Sequence, residues 1–68
     1  MSASKTIKKT MIEKGIKPGA VADMLGQDKQ VFYNKISRDT MKYNDVEKIA
    51  DALGCDVVFK DRETGKTY

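Results

Sequence analysis

Apolar residues recur at helical spacing near the start of the chain. Ile7 and Met11 are four positions apart, which places them on one face of an α-helix, with Ile12 beside them. Lysines and a glutamate fill the remaining positions and suit the solvent side. Ser4 is a good N-cap and Gly15 is a natural C-terminal stop. The pattern therefore predicts a first helix between these two residues.

Two short helices are predicted next, over residues 18–26 and 28–38. Pro18 suits the first position of the earlier helix because that position needs no N–H donor, and Gly26 permits the positive φ of a sharp turn. Asp28 is a strong N-cap for the later helix. The apolar positions of both helices are expected to point inward: Val21, Ala22 and Leu25 in the earlier helix, and Phe32 and Ile36 in the later one.

A fourth helix is predicted over residues 43–53, followed by a change of period. Its apolar stripe has helical spacing and consists of Tyr43, Val46, Ile49, Ala50 and Leu53. After Gly54 the residues are β-branched and aromatic, and a turn and a short return strand can follow. We therefore expect a mainly α fold in one domain. A four-to-five-helix bundle occupies residues 1–54 in this prediction, and a C-terminal β-hairpin occupies residues 55–68.

The composition excludes several kinds of catalytic site. The chain has no histidine and a single cysteine, Cys55, so it cannot form a histidine acid–base pair, a thiolate metal site or an internal disulfide. We expect no enzymatic activity, no cofactor and no small-molecule ligand. No stretch approaches the ~20 apolar residues of a membrane span, and no signal peptide is visible. A cytoplasmic location without a membrane partner is expected.

The two short helices have the spacing of a helix-turn-helix, which holds its second helix proud of the surface for the DNA major groove. This arrangement needs a small residue at the helix contact, a glycine at the turn and an apolar anchor, and Ala22, Gly26 and Phe32 supply them. The start of the later helix then offers donors and acceptors for base edges: Lys29, Gln30 and Asn34. Amides can pair with adenine and lysine with guanine. The net charge of +3 permits one positive face.

Two segments resemble the Xre/Cro-type helix-turn-helix regulators, a family that includes phage repressors and Cro proteins. The segment VADMLGQDKQVFYNKISR is similar to the core of the family, and VEKIADALGCD over residues 46–56 is similar to its following helix. The resemblance spans about residues 7–56. It implies a compact helical bundle that binds double-stranded operator DNA, usually as a homodimer.

The resemblance also implies which residues contact DNA. Base contacts are implied at Lys29, Gln30 and Asn34, with Tyr33 as a further one. Phosphate contacts are implied at Lys17, Gly19, Lys42 and Asn44. Lys35 and Arg38 lie at the far end of the third helix, where a basic residue can meet the DNA backbone. Three residues depart from the family pattern: Pro18, Gln27 and Lys42, where the family often has a glutamine, an aliphatic residue, and a serine or threonine.

The predicted function is that of a sequence-specific DNA-binding transcriptional regulator, repressor-like, with residues 28–38 in the major groove. The hairpin has two open roles, because it can cap its own core or pair with a second subunit. We favour a dimer whose interface includes Val57, Val58, Phe59 and Tyr68. The alternative function is a protein-interaction module on the same scaffold, such as an antitoxin or a phage-encoded inhibitor. Acidic residues near the expected DNA face favour that alternative: Asp23, Asp28 and Asp39.

Overall fold

Four α-helices form the protein over the part of the chain that the structure describes. The structure is a computed structural model, and it describes residues 2–68. The helices are α1 (Ala3–Lys14), α2 (Pro18–Met24), α3 (Lys29–Arg38) and α4 (Tyr43–Ala52). The prediction of a mainly helical bundle is thereby confirmed. None of these helices has the length and apolar character needed to cross a membrane within residues 2–68.

The core is one cluster to which all four helices contribute. Val21 and Ala22 of α2 and Phe32 of α3 have no exposed surface, so the two short helices meet at the centre of this cluster. The remaining buried apolar residues are Ile7, Met11, Ile36, Ile49 and Leu53. The inward positions predicted for α2 and α3 are therefore confirmed, with Leu25 partly buried against the cluster.

Two residues predicted to lie on or beside apolar helix faces are instead exposed. Ile12 of α1 is 81% exposed and Tyr43 of α4 is 62% exposed. Both lie at the borders of the apolar stripes, where a small bundle has no further helix to cover them. A chain of this size buries only about 60% of the surface of its unfolded form.

The N-cap of α1 is Ser2, so the prediction that Ser4 caps this helix is wrong. The Ser2 side chain accepts a hydrogen bond from the backbone N–H of Lys5 at 3.1 Å. Ser4 lies in the first turn and is buried. Its hydroxyl oxygen is 2.7 Å from the carbonyl oxygen of Ile36 and 2.9 Å from Oδ1 of Asp39, and its single proton can be donated to one of them at a time.

Asp39 joins the end of α3 to the start of α1. Its backbone is in the left-handed region, at φ 54° and ψ 40°, where it ends α3. Its Oδ1 also accepts the backbone N–H of Ser4 at 3.3 Å, and so satisfies one of the free donors at the N-terminus of α1. An aspartate tolerates the left-handed conformation better than most residues, so one side chain can serve both helix ends.

The turn between α2 and α3 has the predicted form. Gly26 adopts φ 66°, and the backbone N–H of Gln27 donates to the carbonyl oxygen of Ala22 at 2.9 Å. A β-carbon on Gly26 would meet no atom within 4 Å. The turn therefore needs glycine for its backbone conformation and not for space. Asp28 then caps α3, as predicted, by accepting the backbone N–H of Gln30 at 2.8 Å.

An ion pair joins α3 to the start of α4. Oδ1 of Asp45 lies 3.3 Å from Nζ of Lys35, and Oδ2 of Asp45 accepts the backbone N–H of Lys42 at 3.1 Å. Lys42 is the N-cap residue of α4, at the position where the family often has a serine or threonine. The hydrogen bond from the Lys42 N–H, followed by the one from the Lys35 ammonium, lowers the pKa of the Asp45 carboxyl below its ordinary value.

The predicted C-terminal β-hairpin is not formed. Residues 2–68 contain no strand, and the C-terminal segment has one isolated antiparallel bridge, between Lys60 and Thr67. The turn between them is ordered by Asp61, whose Oδ1 accepts the backbone N–H groups of Glu63 and Thr64 at 2.8 and 3.2 Å. The β-type residue pattern is present, but a two-stranded ribbon without a sheet or helix to cover its apolar side is marginal in water.

The roles of Asp39 predict different stabilities for three substitutions. Asp39→Asn retains an oxygen acceptor and tolerance of positive φ, so we expect less than about 0.5 kcal/mol of lost stability. Asp39→Gly keeps the conformational freedom but loses the hydrogen bonds with Ser4, and we expect a loss of about 1 kcal/mol. Asp39→Ala keeps neither property, and we expect a loss of about 2 kcal/mol. Urea denaturation measures these differences, with Asp51→Ala as an exposed control, and equal losses for the alanine and asparagine variants would contradict the assignment.

The lowered pKa of Asp45 predicts a stability that depends on pH. The charged carboxylate stabilises the folded state above its ordinary pKa of 3.8, and this contribution is lost as the pH falls through the lower pKa of the folded state. Asp45→Asn should therefore be less stable than the unsubstituted protein at pH 7, and the difference should narrow below pH 3.8. Urea denaturation at pH 7 and at a pH below 3.8 tests this, with Asp51→Asn as the charge-matched control. A difference that stays constant with pH would exclude an ionic role.

Candidate nucleic-acid interface

The outward face of α3 carries two amides that contact each other. Gln30 and Asn34 are exposed and lie one helical turn apart. Nε2 of Gln30 donates to Oδ1 of Asn34 at 3.3 Å. The structure thus brings these two predicted base-contacting residues together on one face. The amide pair lies on the side of α3 opposite to Phe32 and Ile36, which are buried.

Lys29 begins α3 and extends across the start of α2. A β-carbon added to Gly19 would lie 3.2 Å from Cε and 3.5 Å from Nζ of Lys29. The absence of a side chain at Gly19 thus makes room for the lysine chain. The Lys29 ammonium is consequently beside the first turn of α2. Lys29 and Gly19 were both predicted to lie at the interface, but their contact was not predicted.

The basic residues predicted to contact phosphate fall into two groups. Lys17, Arg38 and Lys42 are exposed, at the start of α2, the end of α3 and the start of α4. Lys35 is different, because its ammonium is paired with Asp45 and its side chain is only 33% exposed. Gly19 and Asn44 lie in the first turns of α2 and α4. Lys35 therefore has a structural partner that the sequence did not reveal.

Most of the acidic groups near α3 have a structural role. Asp28 caps the helix, Asp39 accepts hydrogen bonds from Ser4, and Asp45 is paired with Lys35. Asp23, at the end of α2, is exposed. The hydrogen bonds of the first three carboxylates explain their presence without a protein partner.

Tyr33 lies at the edge of an apolar groove beside α3 that sequence reasoning missed. The groove has a volume of about 550 Å³ and is bordered by Tyr33, Ile12, Ile16 and Pro18. Lys8 and Lys17 flank it. Tyr33 itself is 46% exposed and borders this groove. No sequence signal pointed to this groove, because Ile12 was predicted to lie beside the buried face and its exposure is known only from the structure.

Gln27 occupies a position where an apolar side chain would be expected. It is partly buried in the turn before α3. Its Oε1 atom is buried and has no hydrogen-bond partner among residues 2–68. A buried polar atom without a partner destabilises the folded state, so the departure at Gln27 weakens the turn without changing its geometry.

A second apolar surface lies at the C-terminal end of the described chain. Val57, Val58, Phe59 and Tyr68 are 40%, 49%, 85% and 72% exposed. Together with Tyr43 they border a groove of about 230 Å³. We refer to these five residues as the C-terminal patch. The structure therefore brings together the four residues predicted for a dimer interface, although no strand joins them.

The geometry defines a class of protein. A helix with exposed amides, held by a preceding helix and a glycine turn, is the arrangement of helix-turn-helix DNA-binding domains. A comparison with protein families finds that residues 6–58 match the model of the Cro/C1-type HTH DNA-binding domain. The chain belongs to this family. Comparisons with curated proteins and with solved structures gave no match. Within residues 2–68 there is no cluster of side chains suited to a metal ion.

Proposed function

We propose that this protein is a sequence-specific transcriptional regulator of the repressor type, which places α3 in the DNA major groove. The observation that carries the proposal is the exposed amide pair of Gln30 and Asn34 on a helix fixed by the buried Phe32. The major groove accommodates an α-helix, and its base edges distinguish all four base pairs. Bound at an operator, the protein would block or recruit polymerase by occupancy.

The proposal divides the contacts between bases and phosphates. Gln30 and Asn34 contact base edges, and Tyr33 lies beside them on the same helix. Lys29 begins the same helix, with its ammonium beside the first turn of α2, and is the third base-contacting residue of the proposal. The phosphate contacts are Lys17, Gly19, Arg38, Lys42 and Asn44. Lys35 stays paired with Asp45 and supports binding by fixing α4 against α3.

A second copy of the chain completes the proposed binding unit. One α3 spans ten residues and can contact one half-site. Two copies related by a two-fold axis would contact half-sites about 34–36 Å apart on a near-palindromic operator. The C-terminal patch supports this part of the proposal, because exposed apolar residues that adjoin one another are typical of an interaction surface. We propose that the patch forms the homodimer interface.

The second candidate function is a protein-interaction module on the same scaffold. The observation that favours it is the groove beside α3, which is bordered by apolar residues and by Lys8 and Lys17. Such a surface suits an acidic partner with apolar side chains. We place this function second, because the acidic residues that would have supported it are largely engaged in caps and ion pairs.

Sequence preference should depend on the start of α3. DNA selected from a random pool by the unsubstituted protein should bind it tightly in a gel shift. The Lys29→Ala, Gln30→Ala double variant should lose about 1–3 kcal/mol of discrimination between selected and scrambled DNA. Lys9→Ala removes the same charge from the exposed side of α1 and should retain the preference. An unchanged preference in the double variant would refute the base-contact assignment.

Salt dependence provides an independent measure of the phosphate contacts. The logarithm of the binding constant should fall linearly with the logarithm of salt concentration. Lys42→Ala should weaken binding to all sequences alike and should reduce the slope by about 1. The slope of Lys9→Ala should equal that of the unsubstituted protein. A flat dependence in the unsubstituted protein would argue against phosphate contacts.

The dimer proposal is tested by matched substitutions at two exposed apolar residues. Phe59, in the C-terminal patch, is 85% exposed, and Ile12, on α1, is 81% exposed. Phe59→Glu should convert a dimer to a monomer in analytical ultracentrifugation, because the charge cannot be buried in an apolar interface. Ile12→Glu should leave the dimer intact. A monomeric unsubstituted protein, or equal effects of both variants, would exclude the C-terminal patch as the interface.

A further inference from the structure

We propose that Asn34 acts through Gln30: it is a positioning residue that fixes the Gln30 carboxamide for a single adenine, and it does not itself recognise adenine. This inference rests on the proposed function, since it concerns which bases the same surface selects. It differs from the simple expectation that each amide on the face pairs with its own adenine.

Gln30 is constrained at both its backbone and its side-chain end. Its backbone N–H donates to Oδ1 of Asp28 at 2.8 Å, so the first turn of α3 is fixed by a cap. Its Nε2 donates to Oδ1 of Asn34 at 3.3 Å, four residues along the helix. A glutamine side chain loses rotamer freedom when it binds a partner. A side chain already held in place loses less, and preorganisation of this kind favours binding.

The hydrogen bond between the amides leaves Gln30 with the groups that adenine requires. An amide group has two N–H donors and one oxygen with two lone pairs. After one N–H is donated to Asn34, Gln30 still has an N–H and Oε1. Adenine presents an acceptor at N7 and a donor at N6 in the major groove, whereas guanine presents acceptors at N7 and O6. Gln30 can therefore pair with adenine through two hydrogen bonds, while its oxygen would face O6 of a guanine.

Asn34 is left with a different set of groups. Its Oδ1 uses one lone pair on Gln30 and keeps the other beside the two N–H donors of Nδ2. These donors suit the acceptors of guanine, O4 of thymine or a phosphate oxygen. In the proposed role Oδ1 serves Gln30, and the amide pair specifies one adenine per half-site.

Selection from random double-stranded DNA tests this with four forms of the full chain: the unsubstituted protein, Gln30→Ala, Asn34→Ala and Asn34→Asp. The readout is the adenine-to-guanine ratio at the position that loses its preference in Gln30→Ala. The ratio should be roughly ten- to a hundredfold in the unsubstituted protein, and Asn34→Ala should lower it about two- to tenfold. Asn34→Asp keeps an acceptor for Gln30 and should retain the ratio, although its charge near phosphates lowers affinity for every sequence.

The control and the opposing outcomes separate this inference from the proposed function. Lys42→Ala should lower affinity without changing the ratio, because phosphate contacts carry no sequence information. An unchanged ratio in Asn34→Ala, or an Asn34→Asp ratio as low as that of Asn34→Ala, would overturn the positioning role. If the protein selects a DNA sequence but Gln30→Ala loses no preference for adenine, the inference is overturned and the proposed function is not. An unsubstituted protein that selects no sequence would overturn the proposed function as well.

Discussion

The packing of α3 against α2 determines the position of every proposed DNA-contacting residue on α3. Ala22 and Phe32 are fully buried in the shared core, and the carbonyl oxygen of Ala22 accepts the N–H that closes the turn. The same small residue thus sets the distance between the helices and the path of the chain between them. Because Phe32 fixes the rotation of α3, Gln30 and Asn34 face outward, and Lys29 lies over the start of α2.

The helices could be predicted from sequence because their determinants are local. Gly26 and Asp28 define the turn and the start of α3 within a few residues, and apolar spacing shows which face is buried. The Ser4–Asp39 contact could not be predicted, since it joins residues 35 positions apart and depends on how α1 crosses the end of α3. The hairpin was predicted wrongly because β-type residues indicate a strand only when a neighbouring surface covers them.

The candidate interface could likewise be predicted only where it depends on local sequence. Helical periodicity places Gln30 and Asn34 on one face, and the structure adds the hydrogen bond between them. The pairing of Lys35 with Asp45 depends on the approach of α4, so sequence spacing could not separate Lys35 from the free basic residues. The groove beside Tyr33 likewise arises where three segments meet. Contacts between helices are thus what the sequence left undetermined.

Gln27 has a consequence for how this domain can change. Its buried oxygen has no hydrogen-bond partner among residues 2–68, and such an atom opposes folding in a domain whose single small core supplies only ~3–5 kcal/mol. An aliphatic side chain there would remove that cost without touching the exposed face of α3. One substitution in the turn can therefore stabilise the domain. The added stability would offset destabilising changes on the surface of α3, and so widen the range of DNA sequences that the folded protein can come to recognise.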